Sequence, residues 1–300
     1  MWILEPLVID PAQVTASNIL EDEFAAWAAG SYALDAVVIH DHSIFQSLVA
    51  ANTAEPGTDA AKWFRRSASN KFKPFDQSNV SPAQAADEIT YTVVPGVRVD
   101  MLAFVDLSGT AVTVEIFVPG VVDPVFSETK SALRSENRGT FYDWAFGDRE
   151  YRGTLIFGHI PTYADAANAE IEITIANAGG TAEAGEILFG KVWKMGVTLY
   201  ETAPRLRSFS VDTRDDFGNV VSTKRRATRA ISYRFALATR NVDYTLGRLQ
   251  NLTATKLLFL GGDGIERLGT TLFGTFKDFS TPIEGPNGLT GQIDVEGFIG

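Results

Sequence analysis

Two histidines are the first residues of this chain whose types and spacing could do chemistry. His40 and His42 stand two positions apart, so on a strand both side chains would point to the same side and could hold a metal ion. A third ligand would have to be His159 or a distant carboxylate, and no recognised metal-site spacing supplies one. The sequence therefore favours polar turn residues over a metal site at these positions.

An aromatic and charged loop, FYDWAFGDREYRG at residues 141–153, offers both catalytic and binding candidates. Its carboxylates could form a glycosidase pair, which needs a defined separation across a cleft. They are Asp143, Asp148 and Glu150. Its rings, which are Tyr142, Trp144 and Tyr151, could stack on a ligand beside hydrogen-bond donors. We favour a packed inter-strand loop, followed by a recognition loop and last by a catalytic role.

One basic cluster stands out in an otherwise acidic chain. It consists of Lys224, Arg225, Arg226 and Arg229. The net charge of −11 and the lack of interleaved aromatic residues argue against a nucleic-acid patch. Pairing with nearby aspartates or with a neighbouring subunit is the simpler explanation. The nearby aspartates are Asp212, Asp215 and Asp216.

Several catalytic and membrane signals are missing from the sequence. The GGDG turn at residues 261–264 is not followed by Lys-Ser/Thr, and the chain has no GxGxxG pattern and no Gly-x-Ser-x-Gly elbow. The chain contains no Cys, which excludes disulfides, thiol catalysis and Cys-ligated metals. The longest apolar runs are too short to cross a bilayer, and the first residues lack the charged region of a signal peptide. We expect a non-enzymatic protein without cofactor, metal or membrane span.

The elements that must position these residues are predicted to be strands. Between residues 67 and 202, segments such as TVEIFV and EIEITI alternate apolar and polar residues, as strands with one buried face do. Gly-containing turns at 95–96, 119–120 and 179–180 separate them. Roughly six to eight strands without a long helical pattern predict a jelly-roll or β-sandwich domain over 67–202.

The regions on either side are also predicted to be mainly β, so the fold class is all-β. Residues 203–300 contain further strand patterns around one helical piece at 242–251 and form a C-terminal β domain. Residues 27–66 form a small aromatic-rich β module. Residues 1–26 begin with an apolar strand-like piece, and their irregular spacing favours an N-terminal arm over a short helix.

The aromatic spacing of the small module resembles that of chitin-binding-type carbohydrate modules (W…Y…V…Y…P…W). The matching residues are Trp27, Tyr32, Val37, Val38, Phe45, Pro56 and Trp63. This resemblance implies that Tyr32, Phe45 and Trp63 contact sugars. Leu48 stands where many such modules have a second exposed aromatic, and Leu34-Asp35 replaces their usual Gly-Asp. Because the missing ring removes part of a stacking platform, we favour a packing or docking role for the module.

A second resemblance follows directly. Residues 67–81, SASNKFKPFDQSNVS, are similar to the G-P-T-N-R-W-x-M-F-D start of a jelly-roll domain. In tail or baseplate proteins of long-tailed (siphovirus-like) bacteriophages, that domain follows such a carbohydrate module. Residues 185–201 and 209–235 also look like parts of that family, so the resemblance covers most of the chain. It implies a structural virion protein near the tail tip, arranged in a symmetric ring or trimer.

We therefore predict a structural virion protein of a bacteriophage tail tip or baseplate, assembled in the host cytoplasm and located in the tail. Its partners would be other tail or baseplate proteins and copies of itself, without nucleic acid. The alternative is a host-glycan receptor-binding protein, and a carbohydrate-active enzyme ranks last. In the alternative, the residues contacting cell-surface glycans would be Tyr32, Phe45, Trp63, Tyr142, Trp144 and Tyr151.

Overall fold

Strands dominate the computed structural model. It describes residues 1–78, 81–133, 140–146, 151–214, 218, 220–225, 227–262, 268–282 and 288–298. Strand residues far outnumber helical residues in these ranges, and most strands lie in large antiparallel sheets. The predicted all-β fold class is therefore confirmed.

The described chain contains the following elements in order. The strands are β1 (Trp2–Pro6), β2 (Val14–Ser17), β3 (Val37–His40), β4 (Ser43–Ser47), β5 (Trp63–Ala68), β6 (Ala83–Val93), β7 (Met101–Ser108), β8 (Ala111–Phe117), β9 (Phe126–Ser131), β10 (Thr154–Phe157), β11 (Glu170–Lys194), β12 (Val197–Thr198), β13 (Ala203–Ser208), β14 (Val211–Arg214), β15 (Val220–Thr223), β16 (Ala227–Leu237), β17 (Leu257–Leu260), β18 (Thr271–Ser280) and β19 (Leu289–Gly297). The α-helices are α1 (Phe141–Phe146) and α2 (Val242–Asn251), and short 3₁₀ turns occupy Pro11–Gln13, Lys73–Phe75, Thr239–Asn241 and Leu268–Thr270.

Alternating side chains build a sandwich-like core in the first half of the chain. On β8 and the first part of β11 every second residue is buried, and Ile116 lies opposite Ile171 in register. β11 also pairs with β6 on its other side, and β8 pairs with β9. The buried side chains share one core with β7 and β10, where the rings of Phe104 and Phe157 meet edge-on at 5.6 Å. The period-two pattern of the sequence thus produces one buried face per strand.

β11 is longer than the sequence predicts. The glycines at 179–180 were expected to form a turn between two strands, but one strand runs through them, and its register with β6 shifts between Ala176 and Thr181. The side chain of Asn177 spans this irregularity by donating from Nδ2 to the Thr181 carbonyl at 2.6 Å. Since both halves of β11 keep β6 as their neighbour, the glycine pair marks a bulge and not a hairpin.

β1 joins the sandwich-like half to the C-terminal strands. It pairs antiparallel with the end of β11 on one side and with β17 on the other. Ile3 and Leu4 are fully buried and belong to different hydrophobic clusters. Residues 1–26, predicted to be an arm, therefore contribute β1 and β2 to the large sheet. The division of the chain into four parts stays a prediction.

The C-terminal strands continue this sheet in the order β17, β18, β19 and β16, and β16 also pairs with β12 and β13. Their core contains Tyr233 and Phe235 of β16 with Ile293 of β19. The Tyr233 hydroxyl donates to the Thr270 carbonyl at 2.8 Å, so its polar end is satisfied inside the core. The predicted helix at 242–251 is confirmed as α2, which adds Leu249 to the same core.

Truncating the β1 core residue Leu4 should destabilise the whole sheet. Leu4 is 0% exposed, so Leu4→Ala should lower the free energy of unfolding by about 2–5 kcal/mol, measured by urea denaturation with tryptophan fluorescence. Leu20→Ala truncates an exposed leucine nearby and should change that free energy by less than about 0.5 kcal/mol. Equal effects of the two substitutions would contradict the central position of β1.

Candidate functional site

The small module is a three-stranded antiparallel sheet of β3, β4 and β5. Asp41 and His42 connect β3 to β4, and both have positive φ, 44° and 57°. A two-residue hairpin turn with the right twist requires that conformation at both positions. The residues considered for a metal site therefore end one strand, at His40, and form a turn, at His42.

The predicted sugar-contacting rings of the module form its core. Trp63 is 3% exposed, and it packs with Phe45 and Val38, which are also buried. The Trp63 indole donates from Nε1 to the Ala54 carbonyl at 2.8 Å, and the Tyr32 ring meets it edge-on at 5.5 Å. A buried ring has no free face on which a sugar can stack. This geometry favours a packing role for Phe45 and Trp63, and sugar binding by the module stays a prediction.

Glu21 links the module to the sandwich-like half, and Glu23 links the segment before the module to the same half. Glu21 accepts a hydrogen bond from the Ser69 hydroxyl and lies 2.9 Å from His42 Nδ1. Glu23 lies 3.4 Å from Lys73 Nζ. These contacts hold the module through polar and charged groups of which most are partly exposed. Such pairs contribute modestly to stability, so they fix orientation more than they add affinity.

A cleft of about 640 Å³ lies between the module and the sandwich-like half. Its walls include Asp41 and Arg65 on the module side and Asp76 on the other. The two histidines at this cleft have different carboxylate partners. His40 Nε2 lies 3.3 Å from Glu55, whereas His42 pairs with Glu21. Among the residues that the structure describes, no group of three or more His, Cys, Asp or Glu is arranged to hold a metal ion.

The other predicted aromatic residues lie on and beside α1, away from the module in the chain. Tyr142 is 70% exposed, and its ring lies 5.2 Å from that of Phe146, which is also exposed. Tyr151 is half-buried and donates from its hydroxyl to Asn177 Oδ1 at 3.3 Å. The side chains of Trp144 and Asp143, and all of Asp148 and Glu150, lie outside the described residues.

Two residues of the predicted basic cluster lie at the end of an exposed pair of strands, whereas Arg229 lies on β16 and donates from Nη2 to the Gly269 carbonyl at 3.1 Å. We call residues 203–214 and 220–225, which contain β13, β14 and β15, the basic ribbon. β13 pairs with β16, whereas β14 and β15 pair with each other in a separate two-stranded sheet. Lys224 and Arg225 are exposed at its end. Asp212 accepts a hydrogen bond from the Ser222 hydroxyl at 2.6 Å. Arg226, Asp215 and Asp216 lie outside the described residues.

A buried carboxyl group that sequence reasoning missed lies on β11. Glu186 is 1% exposed, and neither of its carboxyl oxygens has a hydrogen-bond partner among the described residues. Burial first, and then the Asp76 carboxylate, raises the pKa of Glu186 to about 9. The Lys256 ammonium and the backbone of Gln77 and Ser78 act in the opposite direction but do not reach its oxygens with hydrogen-bond geometry.

The surroundings of Glu186 explain why it stays protonated. Lys256 Nζ donates to the Gln77 carbonyl and lies 4.7 Å from the centre of the Phe298 ring, so it is not committed to Glu186. Burial also raises the pKa of Asp76. The sequence signal for this buried carboxyl group was a glutamate inside the apolar run GEILFG. In the structure all residues from 184 to 190 are buried.

Trp63→Ala should destabilise the module, because the ring fills its core. We expect about 3–5 kcal/mol of lost stability for residues 27–66, measured by amide hydrogen exchange in β3, β4 and β5. Phe64→Ala, at the exposed neighbouring position, is the matched control and should leave exchange nearly unchanged. Unchanged exchange in Trp63→Ala together with lost binding to cells would favour a ligand-binding ring.

Glu186 should make stability fall as the pH rises. The folded chain keeps its proton up to about pH 9, whereas the unfolded chain loses it near 4.5, so folding takes up a proton between these values. Glu186→Gln should remove this dependence, and its stability relative to the wild type should rise between pH 5 and 8 by up to about 1.4 kcal/mol per pH unit. The free energy of urea denaturation at each pH measures this.

The control for that series is Glu172→Gln, which changes an exposed glutamate of the same strand. Its stability relative to the wild type should not depend on pH in this range. Parallel curves for wild type and Glu186→Gln would mean that Glu186 is not protonated in the folded chain.

Comparison with known proteins adds no relative. No family model, no curated protein and no solved structure matches this chain. No helix in the described ranges is long and apolar enough to cross a membrane. The function must therefore be inferred from the residues themselves, of which the basic ribbon and the exposed rings of α1 are the most accessible.

Proposed function

We propose that this chain is a structural protein of a bacteriophage tail tip or baseplate, which joins other tail proteins and copies of itself. The observation that carries the proposal is the basic ribbon. Every described side chain of β14 is exposed, and so are those of Val220, Ser222 and Thr223 on β15. A two-stranded sheet whose described side chains are all exposed is marginally stable in water, so β14 and β15 would be stabilised by a partner surface.

Apolar side chains on and beside the ribbon support the same proposal. Leu206 of β13 is 73% exposed and Tyr200, just before it, is 94% exposed. Val211 and Val220 are also exposed on the two strands of the hairpin. Val220 is paired with Arg214, so Val211 and Val220 point to opposite faces of the hairpin and each face offers apolar area to a partner. Contact with a neighbouring subunit would remove them from water.

The arrangement of the fold is also compatible with the sequence resemblance. A small aromatic module precedes a sandwich-like region and further strands, in the order that the phage tail family implies. The proposal assigns no reaction to the chain. Among the described residues Glu186 has a strongly raised pKa, but it is buried and cannot reach a substrate.

Host-glycan binding is the second candidate, and one observation favours it. α1 presents three exposed rings, those of Phe141, Tyr142 and Phe146. Exposed aromatic faces close together can stack on sugar rings. This platform lies on α1, in the sandwich-like half and not in the small module, where the rings of Phe45 and Trp63 are buried.

The structural proposal predicts that the chain is a fixed part of the virion. Gold-labelled antibodies against it should bind the tail end of purified phage particles that encode it, seen by electron microscopy, because a tail-tip component stays with the particle. A chain found in the lysate and not in the particles would contradict the proposal.

A cell-adsorption measurement on the same particles separates the two candidates. With Tyr142→Ala, a structural role leaves adsorption to host cells unchanged, whereas a glycan receptor-binding role lowers it. Tyr244→Ala, at an exposed tyrosine of α2, is the matched control. A selective loss with Tyr142→Ala would favour the receptor-binding candidate.

A further inference from the structure

The basic ribbon carries a charge opposite to that of the rest of the chain. The sequence from 203 to 226, which spans the ribbon and the loop between its strands, contains six Lys or Arg residues and three Asp, a formal charge of +3. The remaining sequence contains 20 basic and 34 acidic residues, a formal charge of −14. A surface of this sign on a strongly acidic protein is attracted to other copies of the same protein.

Most basic side chains of the ribbon have no acidic partner within the described chain. Arg207 lies 3.6 Å from Glu296, so part of its charge is used internally. The exposed residues that pair with no described carboxylate are Arg205, Arg214, Lys224 and Arg225. Arg205 and Arg207 are two positions apart on β13 and point to the same face, whereas exposed Leu206 points to the opposite face.

A complementary acidic surface lies on the outer side of the sandwich-like half. We call the outward side chains of Glu115 on β8 and of Glu170 and Glu172 on β11 the acidic face. Glu115 and Glu172 are direct cross-strand neighbours in register. Like charges placed opposite each other destabilise a sheet, so a basic partner would relieve this pair.

No Lys or Arg of the strands beside the acidic face, β2, β6, β8 and β9, turns toward it. β2, β6 and β8 contain no Lys or Arg. Lys130 of β9 turns away, because its Nζ donates to the Ile156 carbonyl at 2.8 Å. The next row across the sheet consists of short threonines, where Thr113 lies opposite both Thr129 and Thr174. Glu115 and Glu172 therefore have short threonines on one side and the Phe117–Glu170 pair on the other, and long arginines of a partner can approach them across the threonines.

We propose that the basic ribbon of one copy lies across the acidic face of a second copy, a specific form of the subunit contact in the proposed function. The ribbon and the face are different surfaces, so the contact is heterologous: each copy uses its ribbon toward one neighbour and its acidic face toward another. Repetition of such a contact gives a closed ring or an open filament. In this contact the arginines of the ribbon pair with the glutamates of the acidic face.

The mass of the full chain in solution, measured by sedimentation velocity, tests this contact. The wild type should form species larger than a monomer at low ionic strength, and their fraction should fall as salt is added, because salt screens exposed charges. The ribbon variant Arg205→Glu with Arg214→Glu should lose these species. The face variant Glu115→Lys with Glu172→Lys should lose them as well.

Mixing the two variants gives the sharpest outcome. The acidic ribbon of one variant then meets the basic face of the other, so the larger species should return in the mixture although each variant alone is monomeric. Arg66→Glu with Arg240→Glu reverses two exposed charges outside both surfaces and should associate like the wild type. Circular dichroism of each variant shows that it is folded.

Three results would overturn the inference. They are a wild type that is monomeric at low salt, folded charge-reversal variants that keep the wild-type mass, and a mixture that stays monomeric. If the wild type is monomeric and binds a DNA duplex through the ribbon, the partner of the ribbon is nucleic acid and not a second copy. These results do not depend on whether the chain is located in the virion, so this contact can be rejected while the proposed function is retained.

Discussion

The pairing of β1 on both of its edges is the constraint on which the rest of the structure depends. Its hydrogen bonds with β11 and β17 make one sheet of two regions that would otherwise each end in an open edge. The fit is close: a Cβ atom at Gly190 would collide with the Glu5 carbonyl. On the same strand the Glu5 carboxylate accepts from Arg248 Nε at 2.8 Å, and the Arg248 guanidinium lies over the Trp193 ring at 4.6 Å. β1 therefore also fixes α2.

The two junctions of the molecule have different physical characters. At β1 the contact is backbone hydrogen bonding with fully buried apolar side chains, which is as strong as a domain core. At the small module the contacts around the cleft are the ion pair of Glu21 with His42, the hydrogen bond of Glu21 with Ser69 and one ring contact, of His42 with Phe72 at 4.4 Å. Polar interfaces of this kind allow relative movement more readily than apolar ones. The module is thus the part whose position a bound partner can most easily change.

Local sequence patterns predicted many of the strands and the helix α2. The features that they did not predict depend on pairing between strands far apart in the sequence. Alternation over β8 and the first part of β11 and the helical spacing at 242–251 were sufficient for those elements, because each depends on neighbours in sequence. The continuation of β11 through Gly179 depends on β6, and the central place of β1 depends on strands far away in the chain. The burial of Trp63 likewise depends on contacts with Phe45 and Ala54, which no spacing specifies. The burial of the Glu186 carboxyl group could have been predicted from the apolar residues on both sides of it in the sequence.

The register of β1 has a consequence for the order of folding. Trp2 lies opposite both Lys194 and Leu260, so β1 leaves the ribosome long before both of its neighbours have been synthesised. Contacts of such high sequence separation slow folding, since a long loop must close before they form. Until β17 is synthesised, the apolar strand around Ile3 and Leu4 remains uncovered in the nascent chain. It is therefore the segment at which we expect a chaperone to act during synthesis.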